Sequence, residues 1–212
     1  MGIPKIVYFF AYSYSFVLYG SIITGMGPII PYFAAATGHA ETSFSYIFFV
    51  RALGYLVGGS LIKVLTQHYS THTILMGIEL IGGLSLIGSS LSLSTINLAI
   101  CMFISAACCC MINVVSNMCI LKLYAGDNQD FWVQLLHLIF GAGGLVGPFI
   151  IIKFHEHSFF VLGLLFLSCI PIFYLLKAPE ARDSVRKSEM CEPISRKAEI
   201  LTCVLYLFYI GE

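Results

Sequence analysis

The chain has 212 residues, of which 58% are hydrophobic and 10% charged, with a mean hydropathy of +0.91 and a formal net charge of zero. Soluble domains carry about 25% charged residues, so this composition excludes an ordinary soluble domain and describes an integral membrane protein. Balanced charge with no basic patch excludes nucleic acid as a partner.

Six apolar spans follow in chain order, at about residues 6–33, 44–65, 73–93, 96–121, 131–154 and 159–176. Each is near the length a helix needs to cross a bilayer, about 17–25 residues, and the longer ones tilt or protrude. Open sheet is excluded, because its edges would be unsatisfied in lipid. Lys5 before the first run imitates a signal peptide, but the run far exceeds the 7–15 residues of a signal core, so it reads as a retained helix. Lys5, Lys63, Lys122 and the cations from Lys177 to Lys197 fall on one side of the membrane, and Lys153 alone on the other. This bias places the N-terminus in the cytoplasm, and the plasma membrane is the expected location. A six-helix unit thus occupies residues 1–177 and a hydrophilic cytoplasmic linker residues 178–197. Residues 198–212 read as the truncated start of a seventh helix, because the apolar run from Ile200 stops at Glu212, too short to cross.

An internal repeat organises the six spans. Gly54-Tyr-Leu56-Val57-Gly58 in the second aligns with Gly143-Gly-Leu145-Val146-Gly147 in the fifth. Both lie at the middle of a three-helix group, and the groups cross in opposite senses, so the expected fold is an all-α membrane protein with a 3+3 inverted repeat.

Several residues could carry chemistry. Arg51 stands in an apolar stretch, where a guanidinium costs several kcal/mol or more unless it faces a partner or a watery cavity. Glu79 is the one acid well inside a span, and its depth is about 10 Å from that of Arg51, so a direct pair is not expected. Arg51 is therefore expected to face a cavity, with its partner outside these six helices. Asn113 and Asn117 share one face of the fourth helix, and Gln134 and His137 share one face of the fifth. These neutral donors and acceptors at membrane depth suit a hydroxyl-rich solute, or else hold the bundle together. Among the aromatics of the first helix Tyr19 is the deepest polar one, and it is the candidate for stacking on a solute. Gly25, Gly27, Pro28 and Pro31 are expected to break that helix at its outer end. The eight cysteines fall mostly within spans and read as packing residues, not as a disulfide or zinc framework. No nucleophile with a base and an orienter can be read, so neither an enzyme nor a cofactor is expected.

The stretch Phe44-Ser-Tyr-Ile-Phe-Phe-Val-Arg51-Ala-Leu-Gly-Tyr-Leu-Val-Gly resembles helix 2 of the sodium-dependent glucose transporter group, the domain-containing protein 4 branch of the major facilitator superfamily. Asn117-Met-Cys-Ile-Leu, Gly126-Asp127 and Gln134-Leu-Leu-His137-Leu-Ile-Phe140-Gly-Ala-Gly resemble its passage from helix 4 to helix 5, and Tyr209-Ile-Gly-Glu212 the start of its helix 7. Bacterial fucose permease is similar more distantly, for example at Gly59-Ser-Leu-Ile-Lys63. The resemblance implies the N-terminal half of a twelve-helix fold, alternating access, a missing C-terminal half as partner, and monosaccharide uptake coupled to sodium or a proton. The residues expected to bind the solute, read from their type and depth, are Arg51, Asn113, Asn117, Gln134, His137 and Tyr19. Two positions depart from the pattern: Lys63 stands where the superfamily loop has an acid, and Asn113 where the family has an acid four residues before the helix 4 Asn. A neutral amide cannot titrate, so facilitated transport fits as well as coupled transport. Two other readings stand beside this one: a non-transporting half-molecule that interacts with complete transporters, and an antiporter of another solute, suggested by Gly143-x-x-x-Gly147-Pro148.

Overall fold

The computed structural model describes residues 3–91 and 94–176. Six α-helices fill them: α1 Lys5–Thr37, α2 Tyr46–His68, α3 Thr71–Leu91, α4 Thr95–Leu123, α5 Gln129–Phe154 and α6 Ser158–Leu175. They match the six predicted spans to within a turn or so at each boundary. A single 3-10 turn, His155–His157, joins α5 to α6, so by length and hydropathy the two form one apolar stretch, Gln129–Leu175. At 1.5 Å per residue, α1 is about 50 Å long and must tilt in or protrude from a 30 Å core. The linker and the short seventh span lie outside the described residues.

One sequence expectation is corrected. α1 does not break at Gly25–Pro31: it runs through Pro28 and Pro31 to Thr37. Each proline removes one backbone donor, and membrane helices tolerate this where neighbouring helices and local adjustment resatisfy the backbone. Gly25 is a packing position, since a Cβ there would lie 3.3 Å from the Ile151 side chain of α5. The helix ends instead at Gly38, whose φ of 69° reaches the left-handed region and lets its N–H bond the Ala34 carbonyl.

The helices pair as the repeat requires. If α1, α2 and α3 correspond to α4, α5 and α6, the contact of α1 with α5 maps onto that of α4 with α2, and α3 with α6 maps onto itself. These are the three most extensive pairings in the structure. The glycines show the same symmetry at atomic level. A Cβ at Gly54 or Gly58 would collide with the Phe103 or Ala107 carbonyl of α4, and one at Gly143 or Gly147 with the Val17 or Ser21 carbonyl of α1. Glycine at these points lets two backbones touch, which is where helix association in lipid gains its dispersion energy.

One end of the bundle is closed by rings. Tyr124 stacks on Trp132 at 4.1 Å between centroids, and Phe9 meets the same indole edge-on at 5.0 Å. Lys5 reaches across to Asp127 at 3.1 Å. That pair is exposed and contributes little energy. It does put the start of α1 and the α4–α5 loop on one side, as the charge pattern requires.

Candidate functional site

Arg51 belongs to the buried stripe of α2, with Ile47, Gly54, Gly58 and Ile62, and that stripe faces α4. The opposite face carries Phe48, Phe49, Leu53, Val57 and Leu61, which are exposed. The guanidinium is therefore enclosed by this bundle, at 7% exposure, and is not presented on an open face. The cause is its register: four residues before Tyr55 and three before Gly54, it must follow them toward α4. Its Nη1 has no hydrogen-bond partner. Its electrostatic neighbours are Tyr55 and Cys109. Among the described residues it forms no ion pair, and Glu79 is not its partner.

Tyr55 connects Arg51 to α1. Its hydroxyl donates to the Tyr19 hydroxyl at 2.9 Å. The Tyr19 ring lies 4.7 Å from Phe140 of α5 and 5.8 Å from Phe16, and Phe16 in turn lies 5.9 Å from the His137 ring. Three predicted site residues, Tyr19, Arg51 and His137, are thus joined by Tyr55, Phe16 and Phe140 into one contact chain. His137 is exposed, and its Nδ1–H donates to the Val133 carbonyl at 3.0 Å, which leaves Nε2 as the acceptor. Gln134, one turn earlier on α5, is also exposed.

The two asparagines form a unit of their own. Asn117 Nδ2 donates to the Asn113 side-chain oxygen at 3.0 Å and to its backbone carbonyl at 2.9 Å. Both side chains are half-buried, and Asn117 Oδ1 is a buried acceptor with no donor. Asn113 stands one helical turn past Cys109, about 6 Å along α4, and Asn117 one turn further. Among the described residues, no hydrogen bond or ring contact joins this pair to Gln134 or His137, and α4 touches α5 only lightly.

Sequence reasoning missed Tyr55 and Cys109. Tyr55 had a signal: it is four residues from Arg51 and so shares its face. Cys109 had none, since its place beside Arg51 depends on how α2 and α4 cross. The described cysteines are free thiols, and most are buried.

The arrangement offers neutral donors and acceptors, one guanidinium and several aromatic faces inside a symmetric six-helix bundle. The family model of the Major Facilitator Superfamily matches residues 9–211, nearly the whole chain. This chain belongs to the Major Facilitator Superfamily. A search of curated proteins found no match, and neither did a search of solved structures. Superfamily membership makes this a multi-pass membrane protein of a solute-transport family, and the 3+3 pairing of its helices is that of one transporter half.

Proposed function

We propose that this superfamily member moves a monosaccharide such as glucose across the plasma membrane by alternating access, with its N-terminus in the cytoplasm. One observation carries the reading. The interior holds a donor without an acceptor, Arg51 Nη1, and an acceptor without a donor, Asn117 Oδ1. Buried polar atoms without partners are costly, and hydroxyl groups supply both kinds of partner at once. The half-buried Phe140, packed on Tyr19, provides an apolar ring suited to the C–H faces of a sugar. Asn113, Gln134 and His137 add neutral groups on the same two helices as the predicted pathway. A second six-helix half completes the cavity in this reading. Coupling to sodium is not expected, because Asn113 carries no charge.

Uptake of labelled glucose into proteoliposomes containing the full-length gene product tests this. Saturable flux that unlabelled hexoses inhibit supports it. Correctly inserted protein with no saturable flux of any hexose overturns it.

A further inference from the structure

Glu79 is the buried acid among the described residues, and the helices give it no partner. Its side chain is fully enclosed within the bundle, and neither carboxyl oxygen has a hydrogen bond. The groups that face it come from three helices: the Ser15 hydroxyl of α1, the Cys108 and Cys109 thiols of α4, and the Cys169 thiol of α6. The Ser15 hydroxyl lies beside the carboxyl but is directed to the Cys169 sulfur, at 3.8 Å. α2 contributes Arg51, which stands beyond Cys109. That thiol interacts with both side chains, which form no ion pair with each other. On α3 itself the nearest titratable group is His72, two turns away and bonded to Tyr12 and Leu176.

An ionised carboxylate in this setting would have no donor and no counter-ion in contact, which the interior strongly disfavours. A hard metal cation would need several oxygen ligands. The polar groups that face it are three thiols and one hydroxyl, and a Cβ at Gly82, one turn on, would already lie 3.2 Å from Cys108 Cβ. A proton needs neither ligands nor space. We propose that Glu79 is a proton-binding site. In this conformation the proton sits on one carboxylate oxygen and the group is neutral. The proton is taken from water and returned to water when the helices around Glu79 part enough to wet it. Such a group gives the chain the titratable acid at membrane depth that Asn113 does not supply.

Infrared spectroscopy of the purified full chain in lipid tests this without any solute, so the result does not depend on the sugar reading. At neutral pH the wild-type minus Glu79→Gln difference should show the C=O stretch of a protonated carboxylic acid, shifted in D2O and unchanged by sodium. A carboxylate stretch in its place overturns the proposal, and so does a band that disappears when sodium is added. Carbon-13 glutamate in the wild-type protein provides the same readout if the variant does not fold: the protonated C=O band must shift with the label. Glutamine has the shape of the neutral acid, so Glu79→Gln should unfold at close to the wild-type temperature. A large loss of stability in a folded Glu79→Gln protein would show that the ionised form is the native one.

Discussion

Gly83 and Gly163 face each other across α3 and α6, the helix pair that the repeat maps onto itself. A Cβ at Gly83 would lie 2.9 Å from the Gly163 carbonyl oxygen, and one at Gly163 would lie 2.7 Å from the Gly83 carbonyl oxygen. The relation is reciprocal, as expected of two positions that exchange under a pseudo-twofold axis. The same axis relates the α2–α4 contact to the α5–α1 contact.

The first prediction uses that equivalence. Gly58→Ala and Gly147→Ala each place a methyl against a backbone carbonyl that cannot move aside as a side chain would, at Ala107 and Ser21. Each should destabilise the protein by about 1–3 kcal/mol, the usual cost of overpacking. The two losses should be similar because the two sites are counterparts. Gly27→Ala is the control: nothing lies within 4 Å of the added carbon, and relief of backbone entropy should stabilise by about 0.4–1 kcal/mol. Unfolding in detergent micelles measures all three. If Gly58→Ala and Gly147→Ala are both neutral, the helices are not packed at these points.

A second prediction concerns the buried polar knot at the other end of α3. His72 Nδ1–H donates to the Leu176 carbonyl at 2.6 Å, and Nε2 accepts from the Tyr12 hydroxyl at 2.7 Å. The ring is 3% exposed, so no water can replace either bond. His72→Ala should cost about 1–3 kcal/mol for the groups left unsatisfied. Tyr12→Phe should cost less, and the two together should show a coupling of about 0.5–3 kcal/mol in a double-mutant cycle. Additive losses would mean that the two side chains act independently.

Helix existence and pairing were legible because lipid leaves few alternatives: long apolar runs must be helices, and the Gly54/Gly143 repeat states which helices correspond. The direction of Arg51 was not legible. Its depth follows from counting residues, but its azimuth depends on which stripe of α2 meets α4, and that stripe is defined by Gly54 and Gly58 together with Ala107, a residue far away in sequence. The course of α1 was misread for a related reason: proline and glycine report the local cost of a helix, while packing against neighbouring helices decides whether that cost is met. For the candidate site, the pairing of Asn113 with Asn117 followed from their spacing. The link from Arg51 through Tyr55 to Tyr19 crosses two helices and depends on how α1 and α2 pack, which local spacing does not set.

Arg51 should separate stability from transport. It is a buried charge with an unpartnered nitrogen and no ion pair among the described residues. Replacing such a group with an apolar side chain of similar length is often neutral or stabilising, by up to about 4 kcal/mol. Arg51→Met should therefore unfold no earlier than the wild type, while glucose flux falls at least tenfold, as expected for loss of one charged hydrogen bond to the solute, about 1.5–3 kcal/mol. Arg51→Lys should not rescue flux, because an ammonium does not reproduce the planar donor fork. A strongly destabilised Arg51→Met protein would instead make the guanidinium a structural anchor.

The last prediction tests the neutral amide on α4. Asn117 donates to the Asn113 side-chain oxygen at 3.0 Å, so aspartate at 113 keeps the acceptor and strengthens the bond by charge. The backbone has no reason to move, and the substitution adds a carboxylate at a half-buried position beside the Asn117 amide. In the wild type, replacing sodium with choline should leave glucose flux unchanged, since Asn113 offers no charge to hold the ion. In Asn113→Asp, sodium should raise the flux, because the new carboxylate and the Asn117 amide oxygen together form the start of a hard-oxygen site. Flux measured in proteoliposomes with and without an inward sodium gradient decides the matter. If wild-type flux already depends on sodium, then the ion is held elsewhere, and the substitution at Asn113 did not remove coupling.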